Sequence, residues 1–541
     1  MIDGQQENNH KEPTTPEIDE FTASIVGGIE HVRERETPEL PESTAVIDID
    51  DGMKFLPETI VISGPVPSPK EPDQVARLLL HLFAEGGLHL KHWRDEWYLY
   101  REGSNGAHLR LGGADNRYAV ADAVRSLLAD ATYLAATKDG FEPRPWSPNT
   151  SSVREVVEAM AAQMRLPETM GSPSWLRRSE LSATLPADEV TCVANGLLWC
   201  PREGGVAARQ IVPHTPEFFT DTAVVVDYDP DAPRERWTAF LNELWPGDED
   251  SQALLQEWFG YVLAGSTGLH KILTLIGPRR SGKSTIAWVL EQLLGGTSQV
   301  DHPTMGRLAE PFGLAPMLGK RLAIVGDARI GKSDPSIVEK LLMISGEDPV
   351  TVNRKNRDEL NIKLGARLMI VSNDMPDLRD TTGALASRFL PLRIRVEGWL
   401  GREDFTLKRT LASELPGILT WALEGADRLW SREGRFTIGE AVQQSMEDAE
   451  RQASPIKAFA SDHLVIGSGN EPEPPMATKD EVYEMYALWC ASEGFLVKGK
   501  SVFFRDLLAA YPGLLETGRH RVDGKQRQML RGARLRSGSE I

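Results

Sequence analysis

The residues best equipped for chemistry lie between Lys271 and Gly296. Gly277, Pro278, Arg279, Arg280, Ser281, Gly282, Lys283 and Ser284 fit the spacing G-x-x-x-x-G-K-[ST]. Glycines at these positions let backbone N–H groups curl around a chain of phosphates, and a helix starting at the loop adds the positive end of its dipole. In such a loop Lys283 reaches the outer phosphates, the Ser284 hydroxyl holds Mg²⁺ and Thr285 extends the cradle. The positioning elements are legible on either side. Leu273–Ile276 is a short apolar run of strand type. Ile286, Val289, Leu290, Leu293 and Leu294 share one helical face, and Gly295-Gly296 ends it. The expected cofactors are ATP and Mg²⁺.

Three further stretches narrow the chemistry. Leu322–Asp327 is an apolar run ending in a carboxylate, which can order Mg²⁺ through water or polarise an attacking water. Arg367–Asn373 is a second apolar run, ending in an amide able to hold that water or touch a γ-phosphate. Ser387-Arg388-Phe389 follows, with an arginine suited to stabilising transition-state charge in a neighbouring subunit, which needs an oligomer and most naturally a closed ring. Taken singly, Asp327 and Asn373 also read as turn residues and Arg388 as a surface ion pair. Between the two runs, Val350–Val352 and Asn361–Leu364 flank a basic turn and predict a β-hairpin with Arg354, Lys355 and Arg357 at its tip. Six such tips in a ring would line a pore and grip a phosphate backbone; the plainer reading is a solvated tip.

The chain has 541 residues, which favours three or four domains. Residues 1–75 carry 17 acidic and five basic side chains, so −12 of the net charge of −19 sits there. The nearly balanced remainder leaves room for a local basic surface on an acidic protein. Cys192, Cys200 and Cys490 lack metal or redox spacing and read as core residues in a reducing cytoplasm. No apolar run has the length of a membrane span, and Met1–Glu20 is too polar and acidic for a signal peptide. The expectation is a cytoplasmic protein, in a bacterial host cell if phage or prophage encoded.

In order, residues 1–73 read as an acidic disordered tail. Asp48 and Asp50 make a D-x-D pattern there, with no adequate domain around it. Residues 74–180 read as a small α+β module. Its cluster His92-Trp93 and Trp97–Tyr100 brackets a turn at Asp95-Glu96 and suits core packing, or else base stacking. Residues 181–265 read as a helical domain with a hairpin around Asn195-Gly196. Residues 266–395 alternate strand and helix, as an α/β ATPase core with a parallel sheet does. Residues 396–461 read as a helical lid or subdomain, 462–478 as a proline-rich linker, and 479–541 as a winged-helix-like DNA-binding module. Arg519–Arg536, with seven basic and one acidic side chain, is its most basic part and reads equally as a solvated tail.

As a set, Gly277–Ser284, Gly319–Asp327, Ser345–Lys355, Val371–Asn373 and Ser387–Phe389 resemble superfamily 3 helicases, in the phage and plasmid primase-helicase branch related to the poxvirus primase-helicase. The flanking stretches Asn195–Leu197, His214–Pro216, Tyr228–Pro230, Gly260-Tyr261, Ser454-Pro455 and Tyr483–Arg505 extend the resemblance over about residues 74–535. It implies an AAA+-type ATPase that assembles as a hexamer and translocates on single-stranded DNA. It further implies that Lys283 and Ser284 serve the phosphates and Mg²⁺, Asp327 the acidic role, Asn373 the sensor role, Arg388 the trans-acting finger and Lys355 the DNA grip. Two departures stand out. The acidic motif is Gly326-Asp327-Ala328-Arg329 rather than a pair of acids, leaving open whether Asp327 orders metal or acts as base. No residues for primer synthesis or a zinc ribbon are evident.

The function expected is an ATP-dependent DNA helicase of phage, prophage or plasmid replication, acting on single-stranded or forked DNA with phage replication proteins as partners. Two alternatives stand beside it: an ATP-switched initiator or loader that binds DNA without unwinding, or the helicase part of a primase-helicase. A small-molecule P-loop kinase is a further class, set apart by ATPase that DNA does not stimulate.

Overall fold

Val75, Leu79 and Phe83 recur every four residues and draw Pro72–Glu85 into a helix that buries them, opened by Pro72. It packs on the helix Thr150–Gln163, whose start is fixed by a reciprocal cap between Asn149 and Ser152. A third helix, Ala119–Leu128, closes this core. The computed structural model describes residues 60, 62, 64–111, 118–138, 140–202, 205–264, 268–326, 335–355, 358–376, 384–395, 404–467, 474–522 and 525–537. The acidic tail with Asp48 and Asp50 therefore lies outside the described residues, apart from its end at 60, 62 and 64–73.

Strands Leu88–Trp93 and Glu96–Arg101 pair antiparallel, and Leu109–Arg110 adds to the second. The turn falls on Arg94-Asp95, both at positive φ, one residue earlier than expected. Trp93, Tyr98 and Tyr100 are buried, so most of the aromatic cluster is core and not a base-stacking platform. These elements form one unit, which takes in residues up to Leu176 together with Thr215–Asp221.

Arg177–His214 and the chain from Thr222 onward form a second unit. Its centre is a five-stranded parallel sheet: β1 (Ile272–Ile276), β2 (Val300–Asp301), β3 (Leu322–Gly326), β4 (Arg367–Ser372) and β5 (Phe389–Arg393). The order across the sheet is β2-β3-β4-β1-β5. Helix α1 (Lys283–Leu293) connects β1 towards β2, and α2 (Pro335–Ser345) follows β3.

The helices before and after the sheet, expected as separate regions, share one core with α1. Glu249–Leu263 lies along Leu415–Ser431 at very close range. A Cβ on Gly260 would stand 2.4 Å from the Ala422 carbonyl oxygen, and one on Gly425 would stand 2.3 Å from that of Gln256. Only glycine permits such an approach, and each helix supplies one. Glu257, fully buried at this junction, accepts from Arg428 Nε at 2.7 Å and from Thr437 N and Oγ1 at 2.6 and 2.7 Å. A buried carboxylate is tolerable only when paired and hydrogen-bonded in this way.

The C-terminal region runs helix Pro455–His463, strands Leu464–Ile466 and Met476–Thr478, helices Lys479–Glu493 and Lys500–Ala510, then strands Glu516–Val522, Lys525–Arg531 and Ala533–Leu535, the last paired with Leu464–Ile466. Strand Lys525–Arg531 lies between Met476–Thr478 and Glu516–Val522, antiparallel to both. Phe459, Tyr486 and Phe503 fill its core. Arg519–Arg536 is thus mostly paired strand rather than a loose tail. Among the described residues, no helix is long and apolar enough to cross a membrane.

Candidate nucleotide site

β1 is buried at all five positions because β4 and β5 flank it on both sides, and a central parallel strand covered on both faces must be apolar throughout. The loop leaving it is pinned at once. The Gly277 amide donates to the Ser372 carbonyl at 3.3 Å, and the Ile394 amide donates to the Ile276 carbonyl at 2.7 Å. A Cβ at Gly277 would meet Ser281 Oγ at 3.0 Å and Ile394 Cβ at 3.1 Å, so a side chain at the entrance would press on both neighbours. Gly282 caps α1 at φ 89°, a left-handed conformation that suits glycine.

Within the loop Ser281 is buried, while Pro278, Arg279, Arg280 and Ser284 are exposed and Thr285 is half-buried. Lys283 is 8% exposed, and its Nζ donates to the Gly277 and Pro278 carbonyls, both at 2.6 Å. Burial pulls the ammonium's pKa below its ordinary value. The first turn of a helix leaves its N–H groups without intrahelical partners. A cation, a hydroxyl and those N–H groups at one helix start form a donor set that matches phosphate oxygens.

Strand register decides what stands beside the loop. Ile276 pairs with Ser372, and Val371 pairs with Gly326. Asn373, half-buried, therefore leaves the carboxyl end of β4 next to Gly277. Gly326 ends β3 one strand further on; Asp327, which follows it, lies outside the described residues. Arg388 stands at the other edge. Phe389 pairs with Ile272, which sets Arg388 level with Lys271 at the amino ends of β5 and β1. Five residues of strand separate that edge from Gly277, roughly 17 Å at about 3.3 Å per residue. The Arg388 guanidinium donates to the Leu342 carbonyl and to Ser345 Oγ at 2.8 Å, on the last turn of α2.

The hairpin forms from Val350–Val352 and Leu360–Ile362, paired antiparallel. Lys355 is exposed at its end, and Arg357 lies outside the described residues. Arg354 departs from expectation. It is 8% exposed and its Nε donates to the Asp358 carbonyl at 3.0 Å, so it braces the neck of the turn instead of standing on the tip. The bond joins the two sides of the turn, four residues apart in sequence.

Several residues that shape the site carry no sequence signal. Ser372 and Ile394 grip Gly277 through register alone. Trp245 Nε1 donates to the Arg393 carbonyl at 3.0 Å and fastens the end of β5 to the preceding helices. Arg321, 5% exposed, reaches under the sheet to the Leu263 carbonyl at 2.9 Å.

A family of unknown function, DUF5906, matches residues 275–388, the span from the end of β1 to Arg388. Among curated proteins, the uncharacterized mitochondrial protein ymf21 of Marchantia polymorpha is 29% identical over 87 residues, 16% of this chain and 48% of that protein. The chain spans about half the length of that relative. Among solved structures, the apo C-terminal region of NrS-1 is similar at a TM-score of 0.46 and 14% identity, over 85% of this chain and 99% of that one. Its A form matches at 0.44 and 13%, over 84% and 98%.

Proposed function

We propose that this chain is a superfamily 3-type, ATP-dependent DNA helicase that moves along single-stranded DNA as a ring, with a hexamer as the expected assembly. The observation that carries it is the strand order β2-β3-β4-β1-β5. It inserts β4, with Asn373 at its end, between the strand of the glycine-rich loop and the strand leading to Asp327. That order matches AAA+-type P-loop ATPases, and it supports the reading by setting the loop at Gly277 and Asn373 side by side at one end of the sheet. Bound there, ATP with Mg²⁺ supplies the phosphoryl group whose transfer to water drives movement. Lys283, with the loop and helix-start N–H groups, would bind and orient the phosphates; Ser284 and Asp327 would hold the metal; Asn373 would position the water. Arg388 is too far from its own loop to serve it and is assigned to a neighbour's site.

DNA binding is assigned to Lys355 on the hairpin and to the C-terminal region. Within that region, the succession from Met476–Thr478 through two helices to the paired strands Glu516–Val522 and Lys525–Arg531 supports a winged-helix reading. Its paired strands expose Arg519, Arg521, Arg527 and Arg531. The cations of helix Lys500–Ala510 and the loop before it are paired: Lys498 and Arg505 share Asp506, both at 2.9 Å, and Lys500 meets Asp480. The same module favours a second reading, an ATP-switched initiator that binds duplex without unwinding it.

Strand displacement separates the two. The expected result is ATP-driven unwinding of a forked duplex that disappears in Lys283→Ala. Binding and assembly on the fork without displacement by the unaltered chain would favour the initiator, and displacement by Lys283→Ala would exclude the loop as the motor site.

A further inference from the structure

Arg388 holds more than an edge position. Both partners of its Nη1, the Leu342 carbonyl and Ser345 Oγ, belong to the last turn of α2. Ser345 is 9% exposed and its hydroxyl also donates to the Leu341 carbonyl at 2.6 Å. Gly346 completes the seat. A Cβ there would lie 2.8 Å from Arg388 Nη1 and 3.1 Å from Nη2, so the guanidinium rests where any other residue would put its side chain. A cation at a helix C-terminus is favoured by the dipole, and the Leu342 carbonyl accepts it alongside the Gly346 amide at 2.8 Å. The seat is therefore built from three sources on one turn: a carbonyl, a hydroxyl and a missing side chain.

The helix so capped is the rod between the two working parts. α2 begins just beyond the segment that carries Asp327, and Val350, the first residue of the hairpin, follows Ser345 by five positions. The Asp348 amide donates to the Met343 carbonyl at 3.0 Å, and Ile344 and Val350 share one core, so the last turn of α2 is tied to the root of the hairpin. While Arg388 is seated, both N–H bonds of its Nη1 are spent inside its own chain.

We propose that Arg388 has two mutually exclusive stations. Seated on α2, it restrains the hairpin root; withdrawn, it serves a neighbour's phosphates and frees the hairpin. Ser345 and Gly346 are then positioning residues that set how often the arginine is available, and they couple hydrolysis to DNA. This rests on the assignment of Arg388 as a trans-acting group.

The test uses the full chain with ATP, measuring hydrolysis with and without single-stranded DNA for Ser345→Ala, Gly346→Ala and Arg388→Ala, with melting curves as the fold control. Weakening the seat shifts the population towards the withdrawn station. Ser345→Ala is expected to raise DNA-independent hydrolysis about two- to tenfold, the weight of one hydrogen bond, and to pull the DNA-stimulation ratio towards one. Gly346→Ala is expected to go the same way; if its melting shows a damaged helix end, Ser345→Ala decides. An unchanged ratio, or a fall in DNA-independent hydrolysis, in folded Ser345→Ala with Arg388→Ala inactive overturns the two stations and leaves the finger assignment standing. Full hydrolysis by Arg388→Ala removes the assignment and the proposal with it.

Discussion

Arg388 and Gly277 stand at opposite edges of one parallel sheet. Arg388 is level with Lys271 where β1 begins, and Gly277 follows Ile276 where β1 ends. An arginine side chain does not span five residues of strand, so a site using both residues needs two chains.

That separation predicts complementation in trans. Lys283→Ala and Arg388→Ala are each expected to be inactive in hydrolysis alone. When they are mixed, about one interface in four combines an intact lysine with an intact arginine, as random placement in a closed ring requires. Recovery of about that fraction of hydrolysis on mixing supports a shared site. No recovery on mixing, with both variants folded and assembled, places both residues in one chain's site.

Arg354 and Lys355 are neighbours in sequence with opposite expected phenotypes. Lys355→Ala, at an exposed position, is expected to leave the melting temperature unchanged and to abolish DNA stimulation of hydrolysis. Arg354→Ala removes a buried side chain and its hydrogen bond to the Asp358 carbonyl and is expected to cost about 1 kcal/mol of stability. Denaturant unfolding and DNA-stimulated ATPase, measured on both variants, distinguish bracing from gripping.

The C-terminal strands offer a salt test. A double variant Arg519→Ala, Arg527→Ala is expected to weaken duplex binding and to lower the slope of log affinity against log salt by about two, one unit for each phosphate no longer neutralised. Arg505→Ala, already paired with Asp506, is expected to change the slope little. Equal effects of the two would move the DNA-binding surface from the paired strands to the helix.

His108, in the first unit, predicts an acid sensitivity. It is fully buried beside Tyr100 and Phe219, and neither ring nitrogen has a hydrogen-bond partner among the described residues. Burial, with Lys91 and His89 nearby, pushes its pKa down to about 3 from 6.5. The unfolded chain therefore takes up a proton below pH 6.5 that the folded unit refuses until about pH 3. This contribution to stability is complete above about pH 6.5 and is lost progressively as pH falls towards about 3. His108→Phe is expected to flatten the unfolding free energy of this unit across that window; an unchanged pH profile would mean that other groups set it.

Much was legible in the sequence because it depends on local order. The glycine-rich loop, the amphipathic helix after it, the apolar strands and the hairpin each follow from residue spacing over a few positions; the strands and the helix form close to where that spacing predicts, and the hairpin's second strand lies at Leu360–Ile362 rather than Asn361–Leu364. Turn placement slipped by one residue at Arg94-Asp95, since neighbouring turn frames differ little in composition. What needed the tertiary structure was everything set by register and burial. Strand pairing alone brings Asn373 beside Gly277 and carries Arg388 to the far edge. Packing alone turns Arg354 inward while Lys355 stays out, and joins the helices from either side of the sheet through Gly260 and Gly425. Linear spacing carries no information on which strands become neighbours. That choice is made by the core as a whole, which buries the apolar faces together and leaves the polar chain ends where the sheet happens to place them.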